Sequence, residues 1–227
     1  MSDSGQSEPR RIVLVGASGL IGTTVIAAAV GRDDLRLTAL ARREFALPKG
    51  AKMDLLVAPP SDWPGLIESA RADTLVIALG TTWRAAGRDE AAFRAVDETL
   101  VLDCARAARA AGVPRCIVVS SVGADAGSRN FYLRVKGEVE AELSALGFER
   151  LDILRPGLLR GPRAERRPAE KLAMLATPFT DRLLHGGLRR YRSVTAETMA
   201  QAILNLTVAA PTGRFVHEHD SIRAAAD

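Results

Sequence analysis

Short apolar runs and longer amphipathic stretches alternate along almost the whole chain. Ile12-Val13-Leu14-Val15 is apolar, largely β-branched and stops at Gly16, the pattern of a strand buried on both faces of a parallel sheet. A helix is predicted from Leu20 to about Val30, ended by Gly31. Further apolar segments fall at Leu35 to Ala41, Thr74 to Leu79, Cys116 to Ser120 and Leu151 to Leu154. Between the middle two lies a long helical stretch, Asp89 to Ala111, closed by Gly112 and Pro114. A helix from Asn130 to Leu146 stops at Gly147, and a helix at Glu197 to Leu206 precedes a last strand at Arg214 to His217. Strands alternating with helices imply right-handed βαβ units, and therefore an α/β, doubly wound parallel sheet of the Rossmann type. Pro156 to Arg192 breaks the rhythm with Pro, Gly and Arg. The expectation is a single domain over residues 10–227 after a polar leader of residues 1–9, with a small C-terminal substrate lobe at about 156–195.

The glycines add chemistry to this frame. Gly16-Ala17-Ser18-Gly19-Leu20-Ile21-Gly22 is spaced three and three, between a predicted strand and a predicted helix. In that context Gly16 turns the chain off the strand, Gly19 admits a pyrophosphate to the backbone, and Gly22 lets helix and strand pack. The helix start then offers N–H groups and partial positive charge to the phosphates, which brings in Ser18, Leu20 and Ile21. An NAD binder usually places Asp or Glu after the second strand to hold the ribose hydroxyls. Arg42-Arg43 stand there instead. Guanidiniums pair with a 2′-phosphate, so NADPH/NADP is expected over NAD. Asp54 is expected to accept from the adenine amino group, and Leu79, Gly80 and Thr81 to border the adenosine ribose.

Tyr132 and Lys136 lie four residues apart, hence on one helical face. A phenol alone is too weak an acid for neutral pH, and an ammonium beside it favours the phenolate. Lys136 is also expected to hold the ribose next to the nicotinamide. Ser121, or failing it Ser120, would polarise a substrate carbonyl. These groups together describe carbonyl reduction, with the hydride from the cofactor and the proton from Tyr132.

Over nearly all of its length after the leader, the sequence resembles the short-chain dehydrogenase/reductase superfamily. The likeness is to its atypical branch, in the Tat-interacting-protein oxidoreductase group. It is carried by the glycine run, Arg42-Arg43, Leu79-Gly80-Thr81-Thr82, Ser120-Ser121 with Gly123-Ala124-Asp125, Asn130-Phe131-Tyr132, Val135-Lys136-Gly137-Glu138-Val139-Glu140 and Arg155-Pro156-Gly157. The resemblance implies an NADPH-binding Rossmann fold, Tyr132 as proton donor helped by Lys136, and Pro156 and Gly157 wrapping the nicotinamide half. In that superfamily the two long helices are the usual surface of a homodimer, and its relatives include NADP(H)-binding regulatory modules with a protein partner; the sequence leaves the oligomeric state open. The standard branch's helix asparagine has no counterpart; Asp97 is the nearest polar residue on that helix. An epimerase acting on nucleotide sugars generally needs a larger C-terminal lobe.

Composition adjusts little. A net charge of +4 on 227 residues, 47% hydrophobic and 26% charged, fits a globular chain. The arginines lack the aromatic interleaving of single-strand nucleic-acid binders, so a small carbonyl compound is expected as partner and no nucleic acid. Two cysteines, Cys104 and Cys116, read as buried thiols. The leader has no apolar run and no stretch is long enough to span a membrane, so a cytoplasmic location is expected. His217-Glu218-His219 lacks further ligands and reads as a surface strand end, with no metal. Arg160, Arg163, Arg166 and Arg167 cluster in the lobe, where they could meet an acidic group. Trp83 is placed to border the cleft.

Overall fold

The computed structural model describes residues 8–161 and 184–227. Seven parallel strands form one sheet in the order β3-β2-β1-β4-β5-β6-β9. They are β1 (Arg10–Val15), β2 (Leu35–Ala41), β3 (Met53–Val57), β4 (Thr74–Ile77), β5 (Arg115–Val119), β6 (Arg150–Leu154) and β9 (Gly213–His217). β7 (Leu159–Arg160) and β8 (Val194–Thr195) pair separately, also in parallel. The doubly wound Rossmann sheet expected from the sequence is present. The central strands β1 and β4 are apolar because helices cover both faces: Ile12 to Val15 are at most 1% exposed.

The helices are α1 (Leu20–Ala28), α2 (Trp63–Ser69), α3 (Glu90–Arg94), α4 (Leu100–Ala110), α5 (Phe131–Ala145), α6 (Ala196–Leu206) and α7 (His219–Ala226). α3 and α4 are one helical run interrupted by a π-helical turn, Ala95–Thr99. Wider turns of this kind re-aim a side chain without breaking the helix. α1 and α6 pack together on one side of the sheet, and α2, α4 and α5 on the other.

The chain winds from β1 outward to β3 and then crosses back to β4. The carboxyl ends of β1 and β4 therefore diverge at the point where open α/β sheets bind ligands. Gly16 sits there with φ +88°, and a Cβ on it would lie 2.5 Å from the Ala78 carbonyl oxygen. The two strand ends meet backbone to backbone.

Gly137 makes a second close approach. A Cβ there would fall 2.2 Å from Ala126 N and 2.3 Å from the Asp125 carbonyl carbon, so α5 rests directly on the loop that follows β5. Neither neighbour can swing aside as a side chain would. Gly137→Ala should therefore cost about 3 kcal/mol, near the top of the usual overpacking range, and lower Tm by about 6–12 °C. A thermal unfolding scan with no fall in Tm would contradict this packing.

Two histidines depart from expectation. His217 is not on a free surface: its Nε2 lies 2.8 Å from Asp152 Oδ1, and Asp152 also pairs with Arg150. His219 is 5% exposed at the start of α7. Period-two alternation puts Arg150 and Asp152 on one face of β6, and His217 reaches that face from β9. Among the described residues no helix is long and apolar enough to cross a membrane, and no cluster of three metal-binding side chains occurs. Cys104 and Cys116 are both buried; burial pushes the Cys104 thiol up to about 12 and Cys116 up as well.

Of the predicted lobe at 156–195, residues 162–183 lie outside the described residues, with Arg163, Arg166 and Arg167 among them. Of the leader, residues 1–7 do as well.

Candidate dinucleotide and active site

The first three residues of the glycine run form the turn, and α1 begins at Leu20 with Gly19 as its N-cap. No side chain caps this helix and its first turn holds no acidic residue, so its positive end is left open to an anion. Gly22 is in the first turn of α1, where a Cβ would lie 2.3 Å from the Gly16 carbonyl oxygen. Any larger residue would force helix and loop apart.

A cavity of about 820 Å³ opens over this turn, lined by Gly16, Ser18, Gly19, Leu79, Gly80 and Thr81, with Arg42 at the end of β2. That volume lies within the roughly 300–1,000 Å³ typical of small-molecule sites. The glycine cradle, the open helix start and the cation fit a dinucleotide: its pyrophosphate would lie against Gly19, Leu20 and Ile21. Arg42 is exposed, and neither it nor Arg43 has an ion-pair partner among the described residues. Only Arg42 lines the cavity.

Asp54 does not join them. It pairs in register with Thr38 within β3, three residues short of the strand's carboxyl end, and lines a different cavity with Arg36 and Arg71. Pro60, Ser61 and Trp63, after β3, line the 820 Å³ cavity instead. Trp63 is 2% exposed and donates from Nε1 to the Ala58 carbonyl at 3.0 Å, fixing that wall. The sequence signal was available in Pro59-Pro60-Ser61-Asp62-Trp63, a turn followed by an aromatic.

α5 carries Tyr132 and Lys136. Asn130 caps it, its side-chain oxygen accepting from Leu133 N at 3.2 Å. Tyr132 is half-buried, edge-on to Phe93 at 5.8 Å, and its hydroxyl has no hydrogen-bond partner among the described residues. Phe93 in turn meets Phe131 at 5.5 Å and Trp83 at 6.4 Å. Trp83 thus braces the aromatic cluster and does not line the 820 Å³ cavity.

Lys136 is buried and pairs with Asp97 Oδ1 at 2.8 Å. Asp97 is 1% exposed, and its other oxygen accepts from Thr81 N at 2.7 Å. One carboxylate therefore ties the lysine of α5 to the cavity-lining loop after β4. The π turn supplies it.

The two serines separate. Ser120 is 8% exposed and donates to Glu140 Oε1 at 2.5 Å. Glu140 also receives the Arg155 guanidinium, which that contact holds above its ordinary range. Ser120 is committed to this buried cluster. Ser121 is half-buried, and the only hydrogen bond of its hydroxyl among the described residues is a long one, 3.4 Å to the Val122 carbonyl. Glu140, which the motif alone gives no role, locks the ends of β5 and β6 to α5. Pro156 accepts from Val122 N at 3.0 Å, and a Cβ on Gly157 would lie 2.6 Å from the carbonyls of Tyr191 and Arg192. The two residues are pinned between the β5 loop and the segment before β8.

Residues 16–207 match the family described as NAD(P)H-binding. The chain belongs to that family. Within it the chain is an atypical short-chain dehydrogenase/reductase of the HTATIP2-like kind. It is 35% identical over 211 residues to the rat protein HTATIP2, covering 91% of this chain and 84% of that one. It is 34% identical over 209 residues to Aspergillus niger "Protein fmp52, mitochondrial", covering 89% and 88%. Among solved structures, a putative NAD-dependent epimerase/dehydratase from Bacillus halodurans superposes with a TM-score of 0.69 at 21% identity, over 96% of this chain and 98% of that one. The Thermus thermophilus UDP-glucose 4-epimerase complex with NAD gives 0.68 at 18% identity, over 95% and 81%. At such identities these two show the fold alone. Members of the family bind a nicotinamide dinucleotide.

The expected cytoplasmic location is overturned, because the fmp52 relatives from Aspergillus niger and Candida albicans are both named mitochondrial. The expectation rested on the lack of an apolar run near the start. That criterion concerns secretory signals, whereas mitochondrial import reads amphipathic, Arg-rich segments.

Proposed function

We propose that this family member is an NADPH-dependent reductase of a small carbonyl compound. What carries the reading is the Asp97 bridge. Contacts of 2.7 and 2.8 Å fasten Lys136, one turn from Tyr132, to the loop that lines the dinucleotide cavity. A lysine held this way has its reach fixed before any ligand arrives.

When bound, the dinucleotide supplies the hydride. Tyr132 gives its hydroxyl proton to the carbonyl oxygen as that oxygen gains charge, and the phenolate is re-protonated from solvent. Ser121 donates a hydrogen bond to the same oxygen. Lys136 stabilises the phenolate and orients the nicotinamide-side ribose, while Asp97 keeps its ammonium in place. Pro156 and Gly157 cover the nicotinamide half.

Arg42 supports a preference for the phosphorylated cofactor, since it has no ion-pair partner among the described residues and lines the cavity at the end of β2, where a 2′-phosphate would lie. A guanidinium–phosphate contact is charge-assisted, so Arg42→Ala should weaken NADPH by about tenfold and leave NADH nearly unchanged. Fluorescence titration of both cofactors checks this, and equal losses for the two would refute the preference. Turnover is tested by following NADPH oxidation against aldehydes, ketones and quinones. Tight NADPH binding with no oxidation of NADPH by any of them would instead favour a regulatory module.

A further inference from the structure

A further cavity, of about 390 Å³, is separate from the 820 Å³ one. Its lining includes Arg160 from β7, Arg192 before β8, Thr195 and Thr198 at the start of α6, and His219 and Arg223 from α7. None of its lining residues lines the 820 Å³ cavity. We infer that it binds an organic anion bearing clustered oxygens, a phosphate monoester or a polycarboxylate, gripped by Arg160, Arg192 and Arg223.

Charge is the first reason. Three guanidiniums arrive from three separate segments, and no carboxylate is among the described lining residues. Like charges brought together repel unless a counter-charge sits between them. Of the nearby acids, Asp220 pairs with Arg189 at 3.0 Å, and Glu197 in the first turn of α6 does not line the cavity. Arg223 has no ion-pair partner among the described residues, and Arg192 spends its Nε on the Leu184 carbonyl at 2.9 Å.

Arg160 supplies the second reason. Its Nε is shut off from solvent and has no hydrogen-bond partner among the described residues. A buried donor left unpaired forfeits its hydration with nothing in return, and a ligand acceptor would restore the balance. β7 and β8 hold it there: Arg160 is in register with Thr195, the residue that caps α6. Thr195 already accepts from Thr198 N and Glu197 stands in the first turn of α6, so the guanidiniums and not the helix start carry the attraction. Forked guanidiniums pair bidentately with carboxylate and phosphate oxygens, so three of them suit a ligand with several such oxygens. The cavity is several times larger than one tetrahedral anion, so the ligand carries an organic body as well.

The inference stands whether or not Tyr132 transfers a proton. It is tested on the full ¹⁵N-labelled chain by titrating inorganic phosphate, glycerol 3-phosphate and citrate at constant ionic strength against sodium chloride. The amides of Val194, Thr195, Thr198 and Arg223 should shift and saturate, with an organic anion binding more tightly than phosphate. Tighter glycerol 3-phosphate marks a phosphate monoester as the ligand class, and tighter citrate a polycarboxylate. Arg223→Gln should weaken binding several-fold, and Arg160→Gln with Arg223→Gln by about tenfold or more. Non-saturating shifts, shifts confined to Gly16 through Ile21, or unchanged affinity in folded Arg223→Gln would each overturn it.

Discussion

Replacing Tyr132 with Phe is expected to lower kcat for carbonyl reduction by about 100-fold or more, the usual worth of a positioned proton donor. NADPH affinity should stay within about twofold, because the lost group acts on the carbonyl oxygen in the transition state. The substitution is a clean one here. The ring lies 5.8 Å from Phe93, a contact that Phe preserves. The hydroxyl has no partner among the described residues, so its removal strands no buried donor or acceptor. Tm should accordingly change little. A steady-state assay in which kcat is untouched would remove Tyr132 from the mechanism and leave the dinucleotide site standing.

The largest stability effect is expected at Asp97. Asp97→Leu strips the counter-charge from a lysine that is 6% exposed and also leaves Thr81 N without its acceptor. Breaking a buried ion pair from one side typically costs about 3–5 kcal/mol, which for a chain of this size lowers Tm by about 6–20 °C. Lys136→Met in the Asp97→Leu background should restore a good part of that loss, since the uncompensated charge is gone. Strictly additive Tm shifts in the double variant would mean that the two residues are not coupled.

The sheet was largely legible because its inner strands are buried on both faces. Runs such as Ile12 to Val15 and Cys116 to Val119 have no other use for so many apolar side chains. Met53–Val57 was less visible: it is an edge strand, half-exposed, with Asp54 in its middle. That is also why Asp54 was misplaced. Two-residue strands such as β7 and β8 carry no period to detect. In the site, the glycine turn and the Tyr132–Lys136 spacing are local patterns, and local patterns survive in a sequence. Lys136–Asp97 and Ser120–Glu140–Arg155 are not local. Asp97 lies 39 positions before its lysine and reaches it through a π turn that no helical period announces. Buried charges of this kind look like ordinary surface residues until the fold pairs them.

The abutment of Gly16 against Ala78 has a consequence for how such a protein can diversify. The floor of the cleft is main chain meeting main chain, with a would-be Cβ only 2.5 Å from a carbonyl oxygen. Mutation can rewrite side chains and can scarcely rewrite peptide groups. The floor is therefore closed to gradual retuning, and new cofactor or substrate preferences must arise on the walls. Arg42 is one such wall residue, and Ser61 after β3 is another. A lineage can thus drift far in sequence and in chemistry while inheriting the same dinucleotide cradle.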